Sequence, residues 1–235
     1  MKILALDTSS QAASCALLED ERPIGSFYID AKLTHSQTIM TMAEDLLNTC
    51  GLTAQDVEAV AVAAGPGSFT GVRIGVAAAK GFAWGAELPC CGVSTLEAMA
   101  ESLGVYEGYV CACMDARRNQ VYNGLFRAVG GKLERVSEDR AIALADLKEE
   151  LKNYDKPVFL VGDGANLCYN TLSKEVSNLV LPPEHRIHQR AVGVALLAAK
   201  QAALGAAPGG AELTPNYLRL SQAERERLQK EEKTI

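Results

Sequence analysis

What the chain lacks narrows it first. No run of about 18 apolar residues is free of charge, so no membrane-spanning helix is expected. Met1-Lys2-Ile3 leads straight into a strand-like segment, and no signal peptide is expected either. Basic residues are not in excess: 23 Lys and Arg stand against 29 Asp and Glu, a net charge of −6. That argues against an autonomous nucleic-acid binder, whose affinity comes from neutralising phosphates. Among the seven cysteines there is no C-x-x-C pair, and the odd count argues against a disulfide framework. The expected picture is reduced core thiols in a cytoplasmic protein. No Gly-Lys-Ser/Thr follows a glycine turn, which excludes a P-loop. The three histidines, His35, His185 and His188, form no His-x-x-x-His.

What is present is a soluble globular composition, 48% hydrophobic and 22% charged, with length for one large domain or two modest ones. The stretch from Ala59 to Gly85 organises the rest. Ala59 to Ala64 reads as a buried strand, and Gly65-Pro66-Gly67 ends it. Ser68 or Thr70 is placed to cap a helix from Gly71 to Trp84. Gly71, Gly75 and Ala79 leave one helix face almost bare, so another backbone could approach it closely. The same strand–turn–helix could cradle a phosphate. Gly65-x-Gly67-x-x-x-Gly71 is nevertheless one residue too long for the dinucleotide fingerprint.

Strands are expected at Lys2 to Leu6, Ala12 to Leu18 and Ile24 to Ile29, an antiparallel meander with Asp7-Thr8-Ser9 at its first turn. That turn could hold a metal-bound phosphate or cap itself. A helix over Ser36 to Cys50 carries the stripe Ile39, Met42, Ala43, Leu46, Leu47 and Cys50. A short helix (Thr53 to Val57), a strand (Pro89 to Val93) and a helix (Thr95 to Leu103) follow.

The pattern then restarts. Tyr109 to Met114 ends at Asp115-Ala116-Arg117-Arg118, and strands follow at Gln120 to Arg127 and Lys132 to Val136. Helices are expected over Leu144 to Tyr154, Leu167 to Lys174 and Ala191 to Leu204, with strands at Val158 to Val161 and Asn178 to Leu181. Gly162-Asp163-Gly164 makes another glycine turn. Asp7 and Asp115 hold equivalent places, so the chain reads as two α/β lobes, 1–104 and 105–235, with a cleft between them. Beyond them lie a link (Ala206 to Gly210), an extended Leu213 to Arg219 and a charged helix from Gln222 to Lys233, where Glu226 and Lys230 pair.

A duplicated strand–aspartate–meander resembles the actin, sugar-kinase and heat-shock ATPase superfamily. The fold class implied is an α/β, two-lobed actin-like (ASKHA) duplicated fold with mixed five-stranded sheets flanked by helices. More closely, Leu4-Ala5-Leu6-Asp7-Thr8-Ser9, Gly65-Pro66-Gly67-Ser68-Phe69-Thr70-Gly71-Val72-Arg73-Ile74-Gly75, Asp115-Ala116-Arg117-Arg118 and Pro215-Asn216-Tyr217-Leu218-Arg219 resemble the bacterial TsaB (YeaZ) family.

That resemblance implies a non-catalytic subunit in the making of threonylcarbamoyladenosine in tRNA. It implies a TsaD-like catalytic partner, a TsaE-like ATPase in the larger complex, and tRNA contact only through that complex. The catalytic relative carries a metal-binding His-x-x-x-His where this chain has Thr95 and Met99. No metal is therefore expected, and a metallopeptidase reading loses its ground. No cofactor should be required, and weak ATP or ADP binding would use Asp7, Thr8, Ser9, Asp115, Arg117, Gly162 and Gly164. The alternative is an ATP-dependent kinase or carbamoyl transferase, with Asp7 orienting Mg²⁺ and Asp115 or Arg117 meeting the phosphates. The partner interface is expected on the first helix at Ile39, Met42, Ala43, Leu46 and Leu47, and on the glycine helix at Gly71, Val72, Gly75, Val76, Ala79 and Lys80. The isolated chain would pair with itself through the same patch.

Overall fold

The computed structural model describes residues 1–205 and 212–219. The expected link from Ala206 to Gly210 and the terminal helix from Gln222 to Lys233 lie outside those residues.

The first sheet is built from β1 (Lys2–Asp7), β2 (Ala13–Glu19), β3 (Arg22–Ile29), β4 (Ala59–Gly65) and β5 (Cys90–Ser94). Their order is β3-β2-β1-β4-β5. The meander β1-β2-β3 is antiparallel, while β4 pairs parallel with both β1 and β5. A central parallel strand needs cover on both faces, which is why all seven residues of β4 are buried and apolar or glycine. Side chains alternate across the sheet. Leu4, Leu6, Val60 and Val62 face α1 (His35–Thr49) and α2 (Phe69–Gly85). Ile3, Ala5, Ala59, Ala61 and Ala63 face α7 (Ala191–Ala203) on the other side.

The second sheet repeats the plan. It comprises β6 (Glu107–Asp115), β7 (Gln120–Val129), β8 (Lys132–Arg135), β9 (Arg140–Ala143), β10 (Val158–Val161) and β11 (Leu179–Val180). The order β8-β7-β6-β10-β11 matches β3-β2-β1-β4-β5 strand for strand, with the same parallel and antiparallel pairings. It has six strands rather than five, because the four-residue β9 pairs with the far half of β7. α4 (Leu144–Leu151), α5 (Ala165–Leu172) and the short α6 (Glu184–Ile187) complete this half. The segment after α1 is a 3-10 turn, Ala54–Asp56, closed by a capping box between Thr53 and Asp56.

Two helices cross between the halves. α3 (Thr95–Leu103), which follows β5, packs Leu96, Met99 and Leu103 against Val110, Ala112, Met114 and Phe126 of the second sheet. α7, which follows the second sheet in the chain, packs Val194, Ala195 and Ala198 against the first. A division of the chain at residue 104 is therefore not a division of the packing, and the halves interlock. Among the described residues no helix is long and apolar enough to cross a membrane.

Candidate functional site

The two equivalent aspartates end the first strand of each meander, and the turns they begin border one cavity of about 600 Å³, lined by Ser9 and Ser10 from the first and by Asp115, Ala116 and Arg117 from the second. Each makes the same local bond. Asp7 Oδ1 accepts from the Ser9 amide at 2.9 Å, and Asp115 Oδ1 accepts from the Arg117 amide at 2.7 Å. Their surroundings differ. Asp7 is 1% exposed; its Oδ1 also takes the Ser9 hydroxyl at 2.6 Å, and its Oδ2 has no partner. Burial raises its pKa, against the lowering effect of the Ser9 hydrogen bonds and nearby His35. His35 bridges to the Ser10 carbonyl through Nε2 at 2.8 Å, which puts the proton on that nitrogen and leaves buried Nδ1 unpartnered.

Asp115 is partly exposed and pairs with the Arg117 guanidinium at 3.3 Å. Asp163, from the β10–α5 turn, joins the same cavity. Lost hydration raises the pKa of its carboxyl, the Gln189 hydrogen bond at 3.3 Å opposes this, and the neighbouring Asp115 charge adds to the rise. Two carboxylates, Asp115 and Asp163, line the cavity with Arg117 and His35, a balance that favours a cation over a bare polyphosphate.

The glycine motif is spent on the first aspartate turn. A side-chain carbon at Gly71 would meet the Thr8 carbonyl oxygen at 2.1 Å, and one at Gly75 would meet Thr8 Oγ1 at 2.5 Å. Thr8 Oγ1 donates to the Gly71 carbonyl at 2.7 Å, and the Ser68 amide donates to the Ser9 carbonyl at 2.7 Å. Ser68 Oγ caps the helix by accepting from the Gly71 amide at 3.2 Å, which starts α2 at Phe69. The backbone that the bare face admits is thus the chain's own β1–β2 turn. Gly162 and Gly164 are likewise held by the fold. The Gly162 amide donates to the Ile187 carbonyl at 2.5 Å and the Gly164 amide to the Cys113 carbonyl at 3.0 Å, so neither amide is free for a ligand.

The expected interface residues also turn inward. Ile39, Met42, Ala43, Leu46, Leu47, Gly71, Val72, Gly75, Val76 and Ala79 are all buried, and the eight of them that are not glycine belong to one core with Leu4, Leu6, Val60 and Val62. Lys80 is half-buried and donates to the Leu213 carbonyl at 3.2 Å. The correction has a physical reason. The sheet, the facing helix and the aspartate turn cover more of each helix's circumference than a single stripe. What α1 and α2 expose is different: Met40, Thr41 and Glu44 on one, Ala77, Gly81 and Trp84 on the other. Trp84 is 87% exposed, and a groove of about 450 Å³ between the helices is lined by Met40, Leu47, Leu52 and Phe82.

Thr95 and Met99 are buried on α3, and Met99 packs within the second core. The polar residues around them tie α3 to the second sheet. Ser94 Oγ donates to Asp139 at 2.5 Å and caps the Glu97 amide, while Arg135 pairs with both Glu97 and Asp139. The Ser94-x-x-Glu97 spacing is the sequence signal that points to this cap.

The segment 212–219 crosses between the halves as a strap. The Asn216 amide donates to the Ala64 carbonyl at 2.7 Å, Tyr217 stacks on Phe69 with centroids 4.1 Å apart, and Arg219 donates to the Ala116 carbonyl at 2.7 Å. Pro215 to Arg219 therefore joins the glycine motif to the second aspartate turn.

Residues 29–227 match the family model described as TsaD, tRNA N6-adenosine threonylcarbamoyltransferase. The tRNA threonylcarbamoyladenosine biosynthesis protein TsaB of Bacillus subtilis is 36% identical over 95% of this chain and 96% of its own length. The solved structure of YeaZ from Pseudomonas aeruginosa superposes with a TM-score of 0.75 at 28% identity, covering 92% of this chain and all of that one. The ethanolamine utilization protein EutJ from Carboxydothermus hydrogenoformans, at 16% identity and a TM-score of 0.50, shares the actin-like fold alone, over 83% of this chain and 89% of its own.

Proposed function

The chain belongs to the TsaB (YeaZ) family, and on that premise we propose that it serves the making of threonylcarbamoyladenosine in tRNA as a non-catalytic subunit that binds and activates a TsaD-type transferase. The observation that carries the non-catalytic part is the burial of Thr95 and Met99. A catalytic relative would need two metal-ligating histidines one helical turn apart there. Here those positions carry a hydroxyl and a thioether inside a packed core.

The partner surface we assign is the exposed side of α1 and α2, with Met40 and Phe82 along one groove and Trp84 exposed near the end of α2. Methionine and aromatic side chains suit a face that repacks against different partners. The same face would let the isolated chain pair with itself, so that self-association and heterodimer formation compete. A TsaE-like ATPase joins the larger complex, and tRNA is met through the assembly. The experiment is reconstitution: transfer by the TsaD-type subunit should require this chain, and the chain alone should show neither transfer nor stoichiometric metal. Transfer by this chain alone would overturn the reading.

A second reading, an ATP-dependent kinase or carbamoyl transferase, draws on one feature. Asp7 Oδ2 is buried without a partner, two residues before Ser9 in the wall of the 600 Å³ cavity, as a Mg²⁺-orienting carboxylate would be. Under the first reading any ATP or ADP binding is weak, with a Kd on the order of 0.1 mM or above. Calorimetry giving micromolar ATP binding that Asp7→Ala abolishes would favour the second.

A further inference from the structure

The rim of the cleft carries arginines whose charge the fold leaves unpaired by any described carboxylate and the proposed partner surface does not use. Arg73 projects from the second turn of α2. Its Nε donates to the Tyr217 hydroxyl at 2.7 Å, and its guanidinium carbon lies 4.2 Å from the Phe69 ring centroid. That fixes the plane and leaves the two terminal nitrogens without a hydrogen bond among the described residues. Arg219, two residues beyond Tyr217, holds the Ala116 carbonyl through one nitrogen. Arg118 follows Ala116 by two residues, is exposed, and makes no hydrogen bond or ion pair among the described residues. Arg73 thus lies against the strap at Tyr217, Arg219 where the strap meets the second aspartate turn, and Arg118 on that turn, and none pairs with a described carboxylate.

The turn that presents Arg118 is strained. Arg117, Arg118 and Asn119 are all left-handed, with φ of 64°, 56° and 56°. Each such residue costs about 1 kcal/mol or more. The Gln120 amide to the Arg117 carbonyl and the Leu144 amide to the Asn119 carbonyl hold the turn in place.

We propose that this arginine rim binds the phosphodiester backbone of tRNA within the assembled complex. The proposal rests on reading the chain as a subunit of a tRNA-modifying assembly. The charge distribution selects the ligand. The cavity behind the rim is lined by Asp115 and Asp163, which repel a free polyphosphate, whereas phosphates along a backbone can meet guanidiniums spread over a surface without entering it. Arginine suits this because its planar fork matches a phosphate. At a net charge of −6 the three arginines are expected not to make the isolated chain an RNA binder.

The test uses the chain with its TsaD-type partner and an unmodified tRNA transcript, titrated from 50 to 200 mM salt (a range over which about 10³-fold or more is lost when many phosphates are contacted). Arg118→Glu, at an exposed side chain with no hydrogen bond or ion pair among the described residues, should leave heterodimer formation unchanged. It should weaken tRNA binding about tenfold at low salt, and Arg118→Ala should flatten the log–log salt slope by about 1. The double variant Arg73→Gln/Arg219→Gln should flatten it further. Parental affinity and slope in a heterodimer carrying these changes would overturn the proposal. So would a loss confined to ATP binding, which would make the phosphate a nucleotide's. If the parent chain forms no complex with the TsaD-type subunit, the functional reading falls and takes this inference with it.

Discussion

The β1–β2 turn at Asp7 and the β6–β7 turn at Asp115 begin from the same bond, an aspartate accepting from the amide two residues on. They end as opposites. The first is sealed, with Thr8 and Ser9 pressed on the glycines of α2 and Asp7 cut off from water. The second stays on the surface, in a left-handed backbone that displays arginines and receives the strap. A duplicated fold has thus turned one copy of its turn into core and the other into rim. In the first the binding chemistry of the turn is consumed by packing; in the second it remains accessible.

The largest test of that contrast is Gly71→Ala. The added carbon would meet backbone at 2.1 Å, so the variant should lose about 3 kcal/mol, read as a Tm drop of roughly 6–12 °C. Gly81→Ala on the same helix, with nothing within 4 Å, should instead gain about 0.5–1 kcal/mol. Equal effects would mean that α2 does not close on the turn.

Asp7→Asn should come next, on the order of 1 kcal/mol, and its sign is set by pH. A carboxyl whose folded pKa lies above its unfolded value contributes stability that is present at low pH and lost as pH rises through the folded pKa. Chemical denaturation from about pH 4 upward should show the parent losing ground to Asp7→Asn. A parent that gains on the variant with rising pH would contradict the sealed turn.

Removing the strap's grip on the second turn by Arg219→Ala should cost about 1 kcal/mol, the worth of one charge-assisted hydrogen bond. The smallest effect is at Arg118→Gly, which relieves a left-handed residue and should stabilise by about 0.5 kcal/mol.

Much of this was legible in the chain. The buried run of β4, the Ser68 cap and the restart at Asp115 each rest on local chemistry, and each stands in the structure. What was not legible is where a surface goes after it forms. The stripes of α1 and α2 announce apolar faces but not how much of each helix the sheet will cover, so Leu46 and Val76 were placed at an interface and lie in the core. The periodicity of α7 says that it packs, not that it crosses to the first sheet. Gly71 and Gly75 signal close approach without naming the Asp7 turn as the neighbour. β9 is four residues with one arginine, too short to carry a period. The strap's contacts join residues more than 100 positions apart, which no local pattern encodes.

The central claim is that the chain works by docking the outer side of α1 and α2 on a TsaD-type subunit. An aspartate at Leu46 would bury an unpaired charge and report on folding alone. Met40 and Trp84 lie outside the core, so Met40→Asp and Trp84→Asp should leave Tm within about 2 °C of the parent. The measurement is calorimetric titration of the TsaD-type subunit with these two variants. The account predicts affinity weakened about a hundredfold, roughly 2.7 kcal/mol, for each. Folded variants that bind as tightly as the parent would place the interface elsewhere.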